Sequence, residues 1–332
     1  MQKKFNAWLI TKDINQIVSK FVELDSNEYL NNEVIIKVQN SALNYKDALA
    51  LTGSAPVVRS FPLISGIDMS GIVIESKSNL LKDGDRVFAT GWGLGELHNG
   101  GLASYASFDA DKFMKIPSNF SFLDIMGLGT AGLTAMLSIG SLVKNGITPD
   151  RGKILVTGAS GAVGSIATTL LLKMGYKVSV VTSRIDDNRD YLAHIGDFEI
   201  LDSSLFTNEP KMLSKENWAG AIDVVGGRVL ENIITQISHS GVVAICGQVR
   251  GLELKTNLAP FFLRGIKLIG IDSAFCTKKS RVESWEKIFT LLNGKDIEKI
   301  SEVIDLDKAY EKSLLIIEGK NKKRIITDHQ DL

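Results

Sequence analysis

The sequence predicts an α/β protein of two domains, a β-rich module and a doubly wound parallel sheet. Three observations point there. Short strands punctuated by turn signals fill the first third, strands and helices alternate from about residue 153 to 271, and a glycine-rich turn joins the first strand of that alternation to its helix. Many short strands with turns suggest an antiparallel, barrel-like module. Strands alternating with helices imply a parallel sheet covered on both faces. A length of 332 residues fits about two domains.

In the first third, Glu33–Gln39 carries apolar residues at 34, 36 and 38, the period of a half-buried strand. Ile72–Ile74 and Arg86–Ala89 are further short strands, separated by Thr52-Gly53, Phe61-Pro62 and Lys82-Asp83-Gly84-Asp85. Residues 125–143 read as a buried helix. Then follow a buried strand at Lys153–Thr157, a helix from about Gly161 to Met174, and strands at Tyr176–Val181 and Ala221–Val225. A helix over 228–238 has Leu230, Ile233, Ile234 and Ile237 on one face. Strands at Gly241–Cys246 and Lys267–Ile271 complete the set. After about residue 273 the alternation stops. Val282, Trp285, Phe289 and Leu292 mark an amphipathic helix, and a helix near 307–318 and a strand near 323–327 follow.

Composition narrows the function. Lys and Arg number 38 and Asp and Glu 38, so the net charge is zero and the basic excess of a general nucleic-acid binder is missing. The densest basic cluster, Lys320, Lys322, Lys323 and Arg324, reads as a solvated loop before a strand. Cys246 and Cys276 are too few for a disulfide framework or a four-cysteine zinc lobe, so a cytoplasmic protein with reduced thiols is expected. After Met1-Gln2-Lys3-Lys4 the apolar stretch Ala7–Ile10 is too short for a secretory leader. Residues 125–143 and 154–172 are uncharged and near membrane-spanning length. Their glycines, and the strand–turn–helix pattern of the second, favour burial in a protein core over a membrane.

The strongest chemical signal is Val156-Thr157-Gly158-Ala159-Ser160-Gly161-Ala162-Val163-Gly164. It follows an apolar strand and opens a helix, the context a dinucleotide fingerprint requires. Glycine at 158, 161 and 164 lets the backbone turn and lets a pyrophosphate approach, while the helix start offers free N–H groups. The spacing is G-x-x-G-x-x-G rather than G-x-G-x-x-G, so a turn used only for packing is the alternative. The next strand ends Val181-Thr182-Ser183-Arg184, where an NAD site usually has an acidic side chain. Thr182, Ser183 and Arg184 suit a 2′-phosphate instead, and NADP(H) is the expected cofactor. Asp186 and Asp187 follow closely, and Arg184 as a plain surface charge is the alternative. Gly226-Gly227 and Gly247 fall at the carboxyl ends of later strands, where doubly wound sheets bind ligands. Gln248, Val249, Phe262 and Ser273 are candidates for the nicotinamide pocket or ordinary loop and core.

These strings resemble the medium-chain dehydrogenase/reductase superfamily over nearly the whole chain. The match includes Leu43-Asn44-Tyr45-Lys46-Asp47, the run Phe61–Gly71, Gly84-Asp85-Arg86-Val87 and the glycine turn. Thr90–Glu96, Gly129–Met136, Trp218–Asp223 and Gly270–Ser273 make it similar to the zinc-free quinone-oxidoreductase-like branch, and more narrowly to bacterial NADPH-dependent acrylyl-CoA reductases. The resemblance implies a GroES-like substrate domain from residues 1–124 and 274–332, a Rossmann NADP-binding domain over 125–273, and a cleft between them. It places the cofactor against Tyr45, Ser160–Val163 and Thr182–Arg184, and makes a homodimer the expected assembly. Relatives offer a second basic residue after the third strand, where Leu201-Asp202-Ser203-Ser204 has none.

The alcohol-dehydrogenase branch would supply an early Cys and a His-Glu pair. Those places read Asn44-Tyr45-Lys46-Asp47 and Gly66-Ile67-Asp68, and no Cys precedes 246, so no metal is expected. Ser160 lacks the G-x-S-x-G elbow of a hydrolase. Tyr45 and Asn44 are the expected catalytic side chains, Tyr45 nearest the reacting carbons, with Asn44 and Asp47 orienting Tyr45 or the ribose, or capping the local turn. Trp92 is placed at an acyl pocket or as an anchor of loop 91–101. Arg59, Lys278, Lys279 and Arg281 are CoA-phosphate contacts or plain surface charges. The expected reaction is reduction of a short α,β-unsaturated acyl-CoA by hydride addition at its β-carbon, with quinone or enone reduction as the runner-up and a silent NADPH-binding protein as the non-enzymatic alternative.

Overall fold

The computed structural model describes residues 3–14 and 16–329. Met1 and Gln2 of the leader reading lie outside them. The chain forms two units, Met1–Thr130 with Asn293–Leu332, and Ala131–Leu292. The second unit therefore runs past the expected end at 273. The amphipathic helix Lys278–Leu291 packs on Ala162–Lys173 and buries Trp285 completely, which fixes it to the parallel sheet's unit.

The first unit begins with an antiparallel hairpin, Lys4–Asp13 against Gln16–Asp25, extended by Leu63–Ile64. Its larger sheet runs Ser301–Asp305, Arg324–Asp328, Val34–Leu43, Asp68–Ser76, Arg86–Thr90 and Met114–Lys115, with Tyr105–Phe108 also pairing on Val34–Leu43. The period-two pattern has its physical meaning here: Val34, Ile36 and Val38 are fully buried in one core with Met69, Val73 and Val87. The strand Arg324–Asp328 brings the end of the sequence back, pairing antiparallel to Val34–Leu43 with Ile325 opposite Leu43.

The second unit is a six-stranded parallel sheet ordered Glu199–Asp202, Val178–Thr182, Ile154–Thr157, Trp218–Asp223, Ile237–Ile245 and Lys267–Gly270. In the unit's own numbering this is 3-2-1-4-5-6, the Rossmann order. The order in which successive strands are laid down reverses between Ile154–Thr157 and Trp218–Asp223, and ligands of such sheets bind at the carboxyl ends beside that switch point. All four residues of Ile154–Thr157 are buried, as the apolar run predicts.

Phe122–Lys144 is a described helix long and apolar enough to span a membrane, but 72% of its most apolar window is buried in the fold. The boundary between the units falls within it, at Thr130 and Ala131.

Candidate functional site

In the second unit the glycine turn follows Ile154–Thr157 and leads into Ala162–Lys173 with Gly161 at the N-cap. Gly158 has φ 58°, and a Cβ there would stand 2.5 Å from Val224 Cγ2. A Cβ at Gly164 would collide with the Gly158 carbonyl, so the helix lies hard against the turn. Gly161 N donates to Gly158 O at 2.9 Å and closes the turn. The leading N–H groups of a twelve-residue helix, here those of Ala162 and Val163, form a natural anion site. Beneath it, Thr157 Oγ1 donates to Asp223 Oδ1 at 2.7 Å and Gly226 N to Asp223 Oδ2 at 2.8 Å. Burial pushes the Asp223 carboxyl up. The pair locks the switch point across two strands.

The second strand, Val178–Thr182, ends beside this turn. Asn188, fully buried on the helix Ile185–Ile195, donates to Thr182 Oγ1 at 2.9 Å and to Ser160 Oγ at 3.2 Å. It ties the turn to the strand end, and its own Oδ1 is buried without a partner. The sequence reading passed over Asn188, since that helix is mostly polar and nothing local links position 188 to 160. Ser183 is exposed. Arg184 is half-buried at the N-cap of Ile185–Ile195, and its guanidinium makes no hydrogen bond or ion pair with any described residue.

The remaining candidates divide. Gly226, Gly227 and Gly247 do sit at strand ends and let the chain segments above them approach closely. The backbone of Gln248 lies against Gly226, its side chain exposed. Ser273 Oγ accepts from Thr134 Oγ1 at 2.7 Å within the same unit. Phe262 is 70% exposed on the short helix Ala259–Arg264.

Tyr45 and Asn44 belong to the first unit, where Asn44 caps the helix Tyr45–Thr52. Asp47 Oδ2 accepts from Asn44 N at 2.8 Å, and Asp47 Oδ1 from Ile67 N at 2.9 Å. Asn44 Nδ2 donates to Asp68 Oδ2 at 2.8 Å and to Asp47 Oδ2 at 3.0 Å, while its Oδ1 accepts from Arg324 at 2.6 Å. Arg324 also donates to Asp68 Oδ2 at 2.7 Å, both side chains fully buried. Thr130 N and Oγ1 complete the shell of Asp68. Burial pushes the Asp47 carboxyl up to about 6, the nearby Asp68 adding to the rise against the bonds from Asn44 and Ile67. Asn44 is thus held from every side, whereas the half-buried Tyr45 hydroxyl bonds to no described residue. Arg324, read as a solvated cation, is corrected: its counter-ion lies 256 positions earlier, out of reach of any local pattern.

Glu96 holds both Lys46 and Arg59, and Lys112 lies 4.8 Å over the Trp92 ring. Arg281, grouped with the surface cations, is buried and donates to the carbonyls of Ser273 and Ala274. Among the described residues no three His, Cys, Asp or Glu side chains are gathered as a metal set.

Residues 30–118 match the family described as alcohol dehydrogenase GroES-like domain, and residues 162–293 the family described as zinc-binding dehydrogenase. A β-rich unit joined to a Rossmann unit with these matches defines a class, and the chain belongs to the medium-chain dehydrogenase/reductase superfamily. More particularly, it is similar to the probable acrylyl-CoA reductase AcuI of Escherichia coli, 37% identical over 96% of this chain and 98% of that one. The yhdH oxidoreductase from Salmonella enterica, solved in complex with NADP, matches with TM-score 0.94 at 37% identity, covering 98% of this chain and 100% of its own. The putative quinone oxidoreductase YhfP of Bacillus subtilis is 38% identical over 87% of both chains. The structure of YhfP, with NAD bound, gives TM-score 0.93 at 35% identity over 99% of this chain and 100% of that one.

Proposed function

We propose that the chain is an NADPH-dependent, zinc-independent reductase of the carbon–carbon double bond of a short α,β-unsaturated acyl-CoA, taking acrylyl-CoA to propionyl-CoA. The unengaged guanidinium of Arg184, two residues beyond the end of the second strand at Thr182, carries the choice of NADPH over NADH. A guanidinium gives a 2′-phosphate charge-assisted bonds that a ribose hydroxyl does not repay. The acceptor follows from likeness to the acrylyl-CoA reductase AcuI.

The residues fit the cofactor. Gly158 at positive φ and Gly164 against the Gly158 carbonyl let the turn and the helix close up, and Ser160–Val163 supply the helix start a pyrophosphate would bind. Thr182, Ser183 and Arg184 take the adenosine ribose and its phosphate, the buried Oδ1 of Asn188 offering one more acceptor. Gln248 and Ser273 are assigned to the nicotinamide end. When bound, the reduced nicotinamide supplies the hydride that adds to the β-carbon of the acyl group. Tyr45 holds a phenolic proton free of described partners, and we assign it delivery of that proton to the α-carbon. Asn44, locked by Asp47, Asp68 and Arg324, is a positioning residue that fixes the start of the Tyr45 helix. A homodimer is the assembly the family resemblance implies.

Likeness to YhfP favours a second reading, quinone reduction with the same hydride donor. Following NADPH absorbance with acrylyl-CoA, crotonyl-CoA and a quinone separates the two. Turnover with the acyl-CoA acceptors is expected. Turnover with the quinone alone would move the assignment to the second reading, and none with any acceptor would remove both.

A further inference from the structure

The end of the third parallel strand presents Asp202, Ser203 and Ser204 and no cation, although it lies beside Arg184's strand: Thr182 and Asp202 are paired in register. A cation nevertheless reaches this corner from another part of the chain. The loop after Ile237–Ile245 folds back across the sheet end. Arg250 N donates to Val225 O at 2.9 Å, and a Cβ on Gly227 would stand 2.7 Å from Arg250 O. Gly227 opens the helix Gly227–Ile234, whose Asn232 donates to the carbonyls of Phe206 at 3.0 Å and Asn208 at 2.9 Å, in the turn that follows Asp202. Arg250 thus lies over the start of a helix that leans on the third strand's exit.

The loop is seated rather than loose. A Cβ at Gly226 would meet Gly251 O at 2.7 Å, and one at Gly247 would collide with Val224 O. Glycines at 226, 227 and 247 let the loop press down, which holds Arg250 at a fixed height above the sheet. The Asp202 carboxyl is held below its usual range mainly by the Ser204 backbone N–H, with a smaller share from the charge of the Arg250 guanidinium. That guanidinium is exposed and bonds to no described residue.

We propose that Arg250 is the second cation of the 2′-phosphate subsite, entering from the loop after the fifth strand and acting together with Arg184. This rests on the NADPH reading above. Arg250 offsets the charge of Asp202 and adds donors to a dianionic phosphate, so selectivity for the phosphorylated cofactor is shared between two loops that are distant in sequence.

The test measures binding of adenosine 2′,5′-bisphosphate and adenosine 5′-monophosphate to the full chain by calorimetry. Arg250→Ala is expected to weaken the bisphosphate roughly tenfold and the monophosphate by less than about twofold, as expected for losing hydrogen bonds to a charged group. Arg250→Lys should fall between, since an ammonium keeps the charge and loses the fork. An equal loss on both probes, or no loss on either, overturns the proposal. If the unsubstituted chain fails to prefer the bisphosphate, the NADPH reading falls and this proposal with it. If it does prefer the bisphosphate, and Arg184→Ala removes the preference while Arg250→Ala does not, only the role of Arg250 falls.

Discussion

His329 shows how one side chain ties the returning strand to acid stability. Its Nδ1 donates to Ala103 O at 2.9 Å and its Nε2 accepts from Thr327 Oγ1 at 2.8 Å, the only donor–acceptor sense the carbonyl allows for a neutral ring. Burial pushes its pKa down to about 4, from 6.5. Between those values the unfolded chain binds the proton and the folded one does not, so stability is lost as pH falls through that window. Asp47 does the reverse. Raised to about 6, it holds a proton in the folded state that the unfolded state releases, so its contribution is present at low pH and lost as pH rises through 6. His329→Gln keeps a donor and an acceptor without the titration. From pH 7 to about pH 4.5 the variant should lose about 2 kcal/mol less stability in urea unfolding than the unsubstituted chain, given the size of the shift. Parallel losses would dismiss His329 as the acid-sensitive group. At this scale the position of Arg184 just past an apolar strand could be read from the sequence, while the partners of Asn188, Asp68 and Arg324 could not, since only the fold brings them near.

Among the elements, the helix Phe122–Lys144 carries the clearest local device. It breaks at Gly129, with φ 50° and ψ −150°, and restarts with Thr130 N donating to the Asp68 carboxylate at 3.0 Å. A negative charge at a helix start is favourable, and here it is also the charge that Arg324 neutralises. A Cβ at Gly129 would drive into both the Arg324 guanidinium and the Asp68 carboxylate. Gly129→Ala should therefore cost about 2 kcal/mol or more through backbone strain and crowding. Gly140→Ala, with nothing within 4 Å of its Cβ, should be neutral or stabilising by up to about 1 kcal/mol. Thermal unfolding of the two variants checks the contrast, and equal midpoints would rule it out. The break was not legible: Gly127 and Gly129 look alike in the sequence. Five of the six parallel strands were, because they carry unbroken apolar runs, while Glu199–Asp202, four residues bounded by two carboxylates, was not. The opening hairpin was not legible either, for Gln16–Asp25 is mostly half-buried rather than alternating, and Lys20 and Glu23 interrupt its pattern.

At the scale of the whole molecule, the first unit is discontinuous in sequence. Trp8 Nε1 donates to Leu306 O at 2.7 Å, His329 reaches Ala103, and Arg324 reaches Asp68. Arg324→Met would leave the Asp68 carboxylate buried without its counter-ion, a loss of about 3–5 kcal/mol. Hydrogen exchange should then quicken in Val34–Leu43 while Ile154–Thr157 keeps its protection, and equal quickening in both would show that the units unfold as one. The same long-range closure bears on synthesis. Residues 131–292, with all six parallel strands, are synthesised before Arg324. Domains generally fold in the order they emerge, but Asp68 lies in the segment that emerges first and must wait for a cation encoded 256 codons later. The nascent protein would complete its middle before its beginning, and a pause in translation shortly before Arg324 would leave the β-rich segment as the part that chaperones have to shelter.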